Sequence, residues 1–295
     1  MQDGGRRMST TFKERHVSTL FSAPLFRPLI QVGVNTILED TMTELRQFLA
    51  LPPKTTNSDV LLEAFRVMSQ GYRSEYFYKN LIANRYFVGK HKNENAVLIN
   101  EFRIGEAVAD CVIINGQGVV YEIKTEFDTP NKLERQIENY YKAFPYLYVV
   151  THEKSVERYM QLIEPTSVGL LAVKEEGKIS TVKLANLDST HFDIRTMFNT
   201  LRQKEIADIL QNWYGALPDV PNGILYETHL KMARAIPAID FQSEMQRVLK
   251  KRTLRVDNRR LAAQALFPLQ SLVIQLDPTP SQFESLVSWL SRVEE

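Results

Sequence analysis

The chain has 295 residues, of which 44% are hydrophobic, and 36 lysine and arginine residues nearly balance 35 aspartate and glutamate residues. This composition supports a folded core and excludes a disordered chain, and the net charge of +1 shows no overall bias towards nucleic acid. Cys111 is the only cysteine, which excludes a disulfide framework and a cysteine-based zinc site. We expect a soluble cytoplasmic protein, because no apolar run approaches the ~20 residues of a membrane helix and residues 1–15 lack an apolar signal core.

The N-terminal part of the chain predicts helices. Residues 1–57 are interpreted as an N-terminal segment that is helical and partly disordered. Within it, residues 36–50 have helical apolar spacing, which ends at two consecutive prolines. Two further helices are predicted over residues 58–68 and 73–85, and the second of them carries Glu75.

Three strands are predicted next, over residues 96–104, 107–114 and 118–126. A tight turn over residues 115–118 joins the last two strands and makes them antiparallel neighbours.

Charged side chains interrupt the second and third predicted strands. Asp110 lies in one apolar run, and Glu122 and Lys124 lie two residues apart in the next, so they share one face of their strand. Asp110 can approach Glu122 across the pair if the register allows it. Buried charges are costly, and two close carboxylates repel unless a cation lies between them. The pattern therefore predicts a divalent metal site beside an ammonium group.

The chain after the third strand predicts a helix, further strands and then more helices. Thr129 and Pro130 are typical of a helix start, and the helix runs to about residue 144 with Gln136 and Tyr140 on one side. Strands are predicted over residues 146–151, 168–174 and 179–186, and helices over residues 192–213, 224–235 and 240–252.

The ordered set of charged residues resembles a known family. Asp110, followed by the run Glu122-Ile123-Lys124, is similar to the PD-(D/E)xK nuclease core and, more narrowly, to the sce7726-like family. The resemblance covers roughly residues 70–152. It departs from the superfamily pattern at one place, where Ala109 precedes Asp110 and the name implies proline.

Further features agree with this resemblance. Glu75 lies on a helix ahead of the strands, where these nucleases often place a first acidic ligand, and Gln136 and Tyr140 form a Q-x-x-x-Y pattern after them. An Asp-Thr pair, Asp128-Thr129, follows the third strand, as it does in sce7726-like sequences.

The resemblance implies a fold and an activity. We expect an α/β protein with a restriction-endonuclease-like core, a mixed central sheet flanked by helices, over residues 58–188. Residues 189–295 would form a helical appendage that grips substrate, contacts a partner protein or makes a homodimer. The implied function is that of a Mg²⁺-dependent endonuclease, with Mn²⁺ as the alternative ion, that hydrolyses DNA in defence or repair.

The resemblance also implies roles for individual residues. The metal ligands would be the carboxylates of Glu75, Asp110 and Glu122 and the main-chain carbonyl of Ile123. Carboxylate, carbonyl and water oxygens suit Mg²⁺ better than zinc. Lys124 would stabilise charge on the transferring phosphate. The implied catalytic residues are Asp110, Glu122, Lys124, Gln136 and Tyr140.

Other readings remain open at this stage. The chain could be a catalytically silent nuclease-fold protein that binds nucleic acid or acts as a scaffold, or a nuclease directed at RNA. For the helix ligand, Glu63 is a rival to Glu75. Glu101 and Glu106 also lie near the strands, and the strand phase of Glu106 favours it as a ligand at the rim.

Two basic clusters are candidates for contact with a phosphate backbone, and solvated helix faces are the alternative for them. One cluster comprises Arg85, Lys90, His91 and Lys92. The other comprises seven basic residues, Arg247, Lys250, Lys251, Arg252, Arg255, Arg259 and Arg260, against the single acid Asp257.

Overall fold

The computed structural model describes residues 17–89, 96–252 and 258–293, with the side chains of Asn258 and Arg259 left out. The chain divides into two compact units. The first combines residues 1–92, 175–177 and 254–295, and the second combines residues 93–174 and 178–253. Each unit draws on separated stretches of sequence, and the predicted boundaries after residues 57 and 188 remain predictions.

The helices of the described residues are numbered in chain order. They are α1 (Ala23–Val32), α2 (Thr36–Phe48), α3 (Asn57–Gln70), α4 (Glu75–Ile82), α5 (Leu133–Tyr141), α6 (Val156–Ile163), α7 (Ile194–Thr200), α8 (Gln203–Tyr214), α9 (Asn222–Arg234), α10 (Ala238–Lys250), α11 (Asn258–Gln264), α12 (Gln270–Leu276) and α13 (Pro280–Leu290). A π-helical segment, Ala83–Gly89, follows α4, and 3₁₀ turns occupy Pro130–Lys132, Glu153–Ser155 and Phe267–Leu269. None of the helices in the described ranges has the length and apolar character needed to cross a membrane.

The first unit is helical, and its two ends of sequence are joined through buried polar contacts. The side chain of Asn57 donates to the carbonyl of Trp289 at 2.9 Å and accepts from Arg46 at 2.6 Å. The indole of Trp289 donates to Glu39 at 2.8 Å. Because an unmet polar group in such a place is costly, these bonds hold the C-terminal helix α13 against the helices that precede the sheet.

The second unit contains one six-stranded sheet with strand order β1-β2-β3-β4-β5-β6. The strands are β1 (Val97–Ile104), β2 (Ala107–Asn115), β3 (Gln117–Lys124), β4 (Tyr146–His152), β5 (Gly169–Val173) and β6 (Ile179–Lys183). β1, β2 and β3 pair antiparallel, β3, β4 and β5 pair parallel, and β6 is antiparallel to β5. The predicted α/β class, with a mixed central sheet flanked by helices and a C-terminal helical region, is confirmed.

The connections explain these strand directions. Gly105 and Gly116 stand in the two tight turns with φ of 58° and 80°, a left-handed conformation that glycine adopts without a Cβ clash. The longer connection from β3 through α5 returns the chain to the end of the sheet at which β3 begins, so β4 runs parallel to β3.

The hydrophobic core of the second unit lies between the sheet and helices α5 to α10, and its largest buried side chains include Tyr140, Phe144 and Tyr159. The connection from α5 to β4 covers β3 so closely that a Cβ on Gly118 would lie 2.5 Å from the ring of Phe144. Glycine at this point lets the helix-to-strand connection pack directly on the sheet.

The prediction of one helix over residues 192–213 is wrong, because the structure has two helices there. Leu201 is extended, with φ of −94° and ψ of 151°, and separates α7 from α8. The break is stabilised locally, because Asp193 caps α7 and the main-chain N–H of Arg202 donates to Glu205 at 2.7 Å.

Candidate functional site

The site forms where strands β2 and β3 separate. Their pairing runs from Asn115 opposite Gln117 to Cys111 opposite Tyr121, and it ends one step before Asp110 and Glu122, the next pair that this register would give. There Asp110 does not continue the main-chain ladder. Its Oδ2 accepts a hydrogen bond from the main-chain N–H of Ile123 at 2.7 Å, so the side chain fills the gap between the strands.

Glu122 is buried, with 2% of its surface exposed, and is surrounded by donors. Lys124 donates to its Oε1 at 2.7 Å, and the side-chain amide of Gln136 donates to the same oxygen at 2.6 Å. The hydroxyl of Tyr140 lies 2.7 Å from Oε2 and 2.8 Å from the carbonyl of Val108. A carboxylate offers about four lone-pair positions. Three are used at most by described residues, so at least one position on Oε2 remains.

Helix α5 positions the two side chains that meet Glu122 from outside the sheet. Gln136 and Tyr140 are four residues apart, hence on one side of the helix, and their side chains both point at the Glu122 carboxylate. The sequence predicted this grouping of Gln136 and Tyr140 beside the strand acids, and the structure brings them together.

Lys124 links the strand to the helix. Its ammonium donates to Glu122 and, at 2.8 Å, to the side-chain oxygen of Gln136. An ammonium has three hydrogens, so one donor remains after the partners that the described residues provide. The carbonyl of Lys124 accepts from the hydroxyl of Thr151 on β4 at 2.7 Å, which fixes the end of β3.

Burial changes the protonation of this cluster. It raises the pKa of Glu122, because the charged form loses hydration, and the charge and hydrogen bond of Lys124 offset only part of this increase. Burial, together with the adjacent negative charge of Glu122, also raises the pKa of Tyr140, so its hydroxyl stays protonated as a donor.

Glu101, which the sequence places only near the strands, lies beside Asp110. It lies within β1 between the pairs Asn100 with Cys111 and Phe102 with Ala109, which puts it across from Asp110. Its φ is 53°, which is unusual for a residue other than glycine, and a carboxylate oxygen lies within 4.8 Å of one from Asp110. Only the register of β1 on β2 reveals this proximity.

Each of the other acidic candidates forms an ion pair with a base. Glu106 stands in the turn between β1 and β2 and forms an exposed ion pair with Arg135. Glu63 pairs with Arg66 on α3. Glu75 is the first residue of α4 in the first unit, is exposed and pairs with Lys79, and its role as a ligand stays a prediction.

The Asp-Thr pair lies just beyond β3. Oδ2 of Asp128 accepts from the main-chain N–H and the hydroxyl of Thr125, both at 2.7 Å. Thr129 precedes the 3₁₀ turn that leads into α5 and makes no side-chain capping bond. Asp128 therefore shapes the connection that carries the chain from Lys124 to Gln136.

Three residues of the second basic cluster are paired with acids from α8. Arg247 and Lys251 both contact Asp208, at 2.9 and 2.6 Å, and Arg252 contacts Glu205 at 2.5 Å. These three cations are therefore poorly placed to meet phosphate. Lys90, His91, Lys92 and Arg255 lie outside the described residues.

Together, the fold and the site define an α/β protein that carries two acids and a lysine at the separation of two strands of its mixed sheet. The model of the bacteriophage P4 protein cII family matches residues 68–265, more than half of the chain. The chain belongs to the bacteriophage P4 protein cII family.

The chain is similar to the SPO1766 protein of unknown function from Silicibacter pomeroyi, at 14% identity, over 40% of this chain and 80% of that chain, with a TM-score of 0.28. No curated protein matches the chain.

Proposed function

We propose that this protein is a Mg²⁺-dependent nuclease that hydrolyses phosphodiester bonds in DNA. The observation that carries the proposal is that Asp110 accepts from the main-chain N–H of Ile123, the residue after Glu122, while the ammonium of Lys124 lies 2.7 Å from Glu122. This is the arrangement that the resemblance to PD-(D/E)xK nucleases predicts. A role in defence or repair rests on analogy with such nucleases alone.

The donor set fits a hard divalent cation. Asp110 and Glu122 would supply carboxylate oxygens, of which Glu122 keeps a lone-pair position on Oε2, and the main-chain carbonyl of Ile123 would be the neutral ligand. Glu101 adds a carboxylate close to Asp110, and two such groups repel each other unless a cation lies nearby. Mn²⁺ accepts the same oxygen ligands and is the alternative ion.

The residues of the chain would divide the work. When bound, Mg²⁺ polarises a phosphoryl oxygen and lowers the pKa of a coordinated water. Lys124, through its remaining donor, would hold a phosphate oxygen or the attacking water near Glu122. Gln136 fixes the direction of the Lys124 ammonium, and Tyr140 fixes the plane of the Glu122 carboxylate.

The test is cleavage of single- and double-stranded DNA and RNA with Mg²⁺, with Mn²⁺ and with a chelator. We expect metal-dependent cleavage of DNA that falls at least about 100-fold in Lys124→Ala, the usual effect of losing one transition-state donor. A similar fall is expected in Asp110→Asn, which loses a charged metal ligand. Glu106→Gln is the matched control, because this acid is exposed and paired with Arg135. Activity that survives in both site variants would remove the assignment, and preferential cleavage of RNA would redirect it.

A second candidate function is a catalytically silent scaffold or nucleic-acid-binding protein. The observation in its favour is that Lys124, Gln136 and Tyr140 already occupy most of the hydrogen-bonding positions of the Glu122 carboxylate. A closed network of this kind can serve stability alone. Absence of cleavage, together with an unchanged thermal midpoint when Mg²⁺ is added, would favour this reading. Dimerisation or partner binding through the C-terminal helices stays a prediction.

A further inference from the structure

A recess lies in the helical part of the second unit, apart from the strand acids. It is a cavity of about 550 Å³ between α7, the start of α8 and α9. Its floor is apolar and comprises the buried side chains of Phe198, Leu201 and Ile206. Exposed amide and phenol groups form its rim. An apolar floor with a few polar groups at the edge is the usual composition of a small-molecule site.

His229 marks this cavity as more than a surface groove. The residue lines the cavity with only 5% of its surface exposed, and its imidazole makes no hydrogen bond to any residue that the structure describes. Its ring nitrogens are not among the fully buried polar atoms that lack a partner, so they keep accessible surface. A ligand in the cavity can therefore exchange a hydrogen bond with the imidazole.

The lining also specifies the charge of the ligand. Burial lowers the pKa of His229, so its ring is neutral at pH 7. None of the other described residues that line the cavity is a lysine, arginine, aspartate or glutamate. A phosphate, a carboxylate or an amine would find no charged partner among them, so the chemistry favours an uncharged group.

An aromatic side chain at the rim of the cavity indicates the shape of the ligand. Tyr226 is 44% exposed, and its ring stands edge-on to that of Phe198, with centroids 5.4 Å apart. Its hydroxyl donates to the side-chain oxygen of Asn199 at 3.0 Å, which fixes both groups. A flat ring can stack on such a face while its edge meets the amide of Asn199 and the imidazole.

We propose that this cavity binds a nucleobase. A nucleobase is uncharged, planar and rich in edge donors and acceptors, and base stacking on an aromatic side chain is a common recognition mode. The base can come from a free nucleoside or from a single-stranded nucleic acid. The proposal does not depend on nuclease activity.

The experiment measures binding of the full chain to adenosine, cytidine, guanosine and thymidine, and to short single-stranded oligonucleotides with bases or with abasic sugars. Titration is followed by ligand-observed NMR and by the imidazole resonance of His229, identified by its loss in His229→Phe. We expect saturable binding of at least one nucleoside or of the base-containing strand, no comparable effect from the abasic strand, and a shift of the His229 resonance.

Substitutions distinguish binding in the cavity from binding elsewhere on the surface. Tyr226→Ala should weaken binding about tenfold, in line with the usual loss of one stacked base. Tyr214→Ala is the matched control, because Tyr214 is 42% exposed, does not line the cavity and should leave affinity within about twofold. Asp110→Asn should bind as the unaltered chain does, even if it abolishes cleavage.

Two results would overturn the proposal. One is that no nucleoside and no base-containing strand shows saturable binding to the folded protein. The other is binding that Tyr226→Ala leaves unchanged, or that the abasic strand reproduces, because the ligand would then contact phosphate or another surface. A free nucleoside that binds more tightly than a strand would assign the cavity to small-molecule recognition.

Discussion

The carboxylate of Asp110 accepts the main-chain N–H of Ile123 across the gap between β2 and β3, at 2.7 Å. One side chain thus takes the place of a carbonyl in the sheet ladder. Asp110 therefore has a structural function in addition to the proposed metal-binding function, and the two can be separated by substitution.

Asp110→Ala and Asp110→Asn should differ in stability but not in activity. The alanine variant leaves the N–H of Ile123 without its acceptor, so we expect the free energy of unfolding to fall by about 1–3 kcal/mol. The asparagine variant retains an acceptor oxygen and should lose less than about 1 kcal/mol. Urea denaturation measures both. Equal stability of the two variants would show that the bond to Ile123 contributes little.

The adjacent tyrosines Tyr140 and Tyr141 should respond differently to loss of the hydroxyl. Tyr140→Phe removes the donor to Glu122 and should cost about 1–3 kcal/mol of unfolding free energy. The hydroxyl of Tyr141 is buried and has no hydrogen-bond partner among the described residues, so Tyr141→Phe should be neutral or slightly stabilising. Thermal and urea denaturation of both variants checks this. A larger loss in Tyr141→Phe would contradict the network.

The pH dependence of stability should reveal the raised pKa of Glu122. Burial raises this pKa above the ordinary value of 4.5, so the folded chain holds its proton to higher pH than the unfolded chain does. The folded state therefore loses stability as pH rises through the folded pKa, at about 1.4 kcal/mol per unit of pKa difference. Glu122→Gln lacks this loss.

The measurement is the unfolding free energy of Glu122→Gln minus that of the unaltered chain, in metal-free buffer. This difference should increase from pH 4.5 to pH 7.5. Glu106→Gln is the control, because Arg135 lowers the pKa of Glu106 and any slope should have the opposite sign. A difference for Glu122→Gln that stays flat or decreases would contradict the pKa direction.

The contact of Arg252 with Glu205 should contribute more to stability than that of Lys251 with Asp208. The Arg252 and Glu205 side chains are 14% and 13% exposed, and the guanidinium also lies over the Phe102 ring, 5.5 Å from its centroid. Arg252→Ala should cost about 1–3 kcal/mol, whereas Lys251→Ala, at a more exposed pair, should cost less than about 1 kcal/mol. Urea denaturation at pH 7 compares them.

The effect of Arg252→Ala should also decrease in acid. Burial raises the pKa of Glu205. The hydrogen bonds and charges of Arg252 and Arg202 lower it by more, so the net pKa lies below the ordinary value of 4.5. The stability from this pair is present above pH 4.5 and is lost as pH falls through the folded pKa. A cost that is the same at pH 7 and at pH 3 would contradict this.

Magnesium should stabilise the chain if the strand acids hold it. A ligand at 100 times its dissociation constant adds about 2.7 kcal/mol to the free energy of unfolding, so the thermal midpoint should rise with Mg²⁺ and fall again with a chelator. The increase should be lost in Asp110→Asn and retained in Glu106→Gln. An equal increase in all three proteins would indicate a metal site elsewhere.

The local pattern of the sequence was sufficient for the class of fold and for the positions of most elements. Alternating apolar residues predicted the first three strands to within two residues, and the tight turn after Asn115 made β2 and β3 antiparallel. The grouping of Asp110, Glu122 and Lys124 follows from the same period-two geometry, as does that of Gln136 and Tyr140 from helical spacing. Such features depend on neighbours a few residues apart.

Only the tertiary structure decided which groups meet across longer distances. The register of β1 on β2 put Glu101 beside Asp110, and the packing of α8 on α10 neutralised Arg247 and Lys251, which the sequence offered for phosphate. The cavity at His229 forms from three helices and has no local signature. Secondary structure follows from backbone preferences and hydrophobic periodicity along the chain, whereas the environment of a charge depends on residues that folding brings from distant positions.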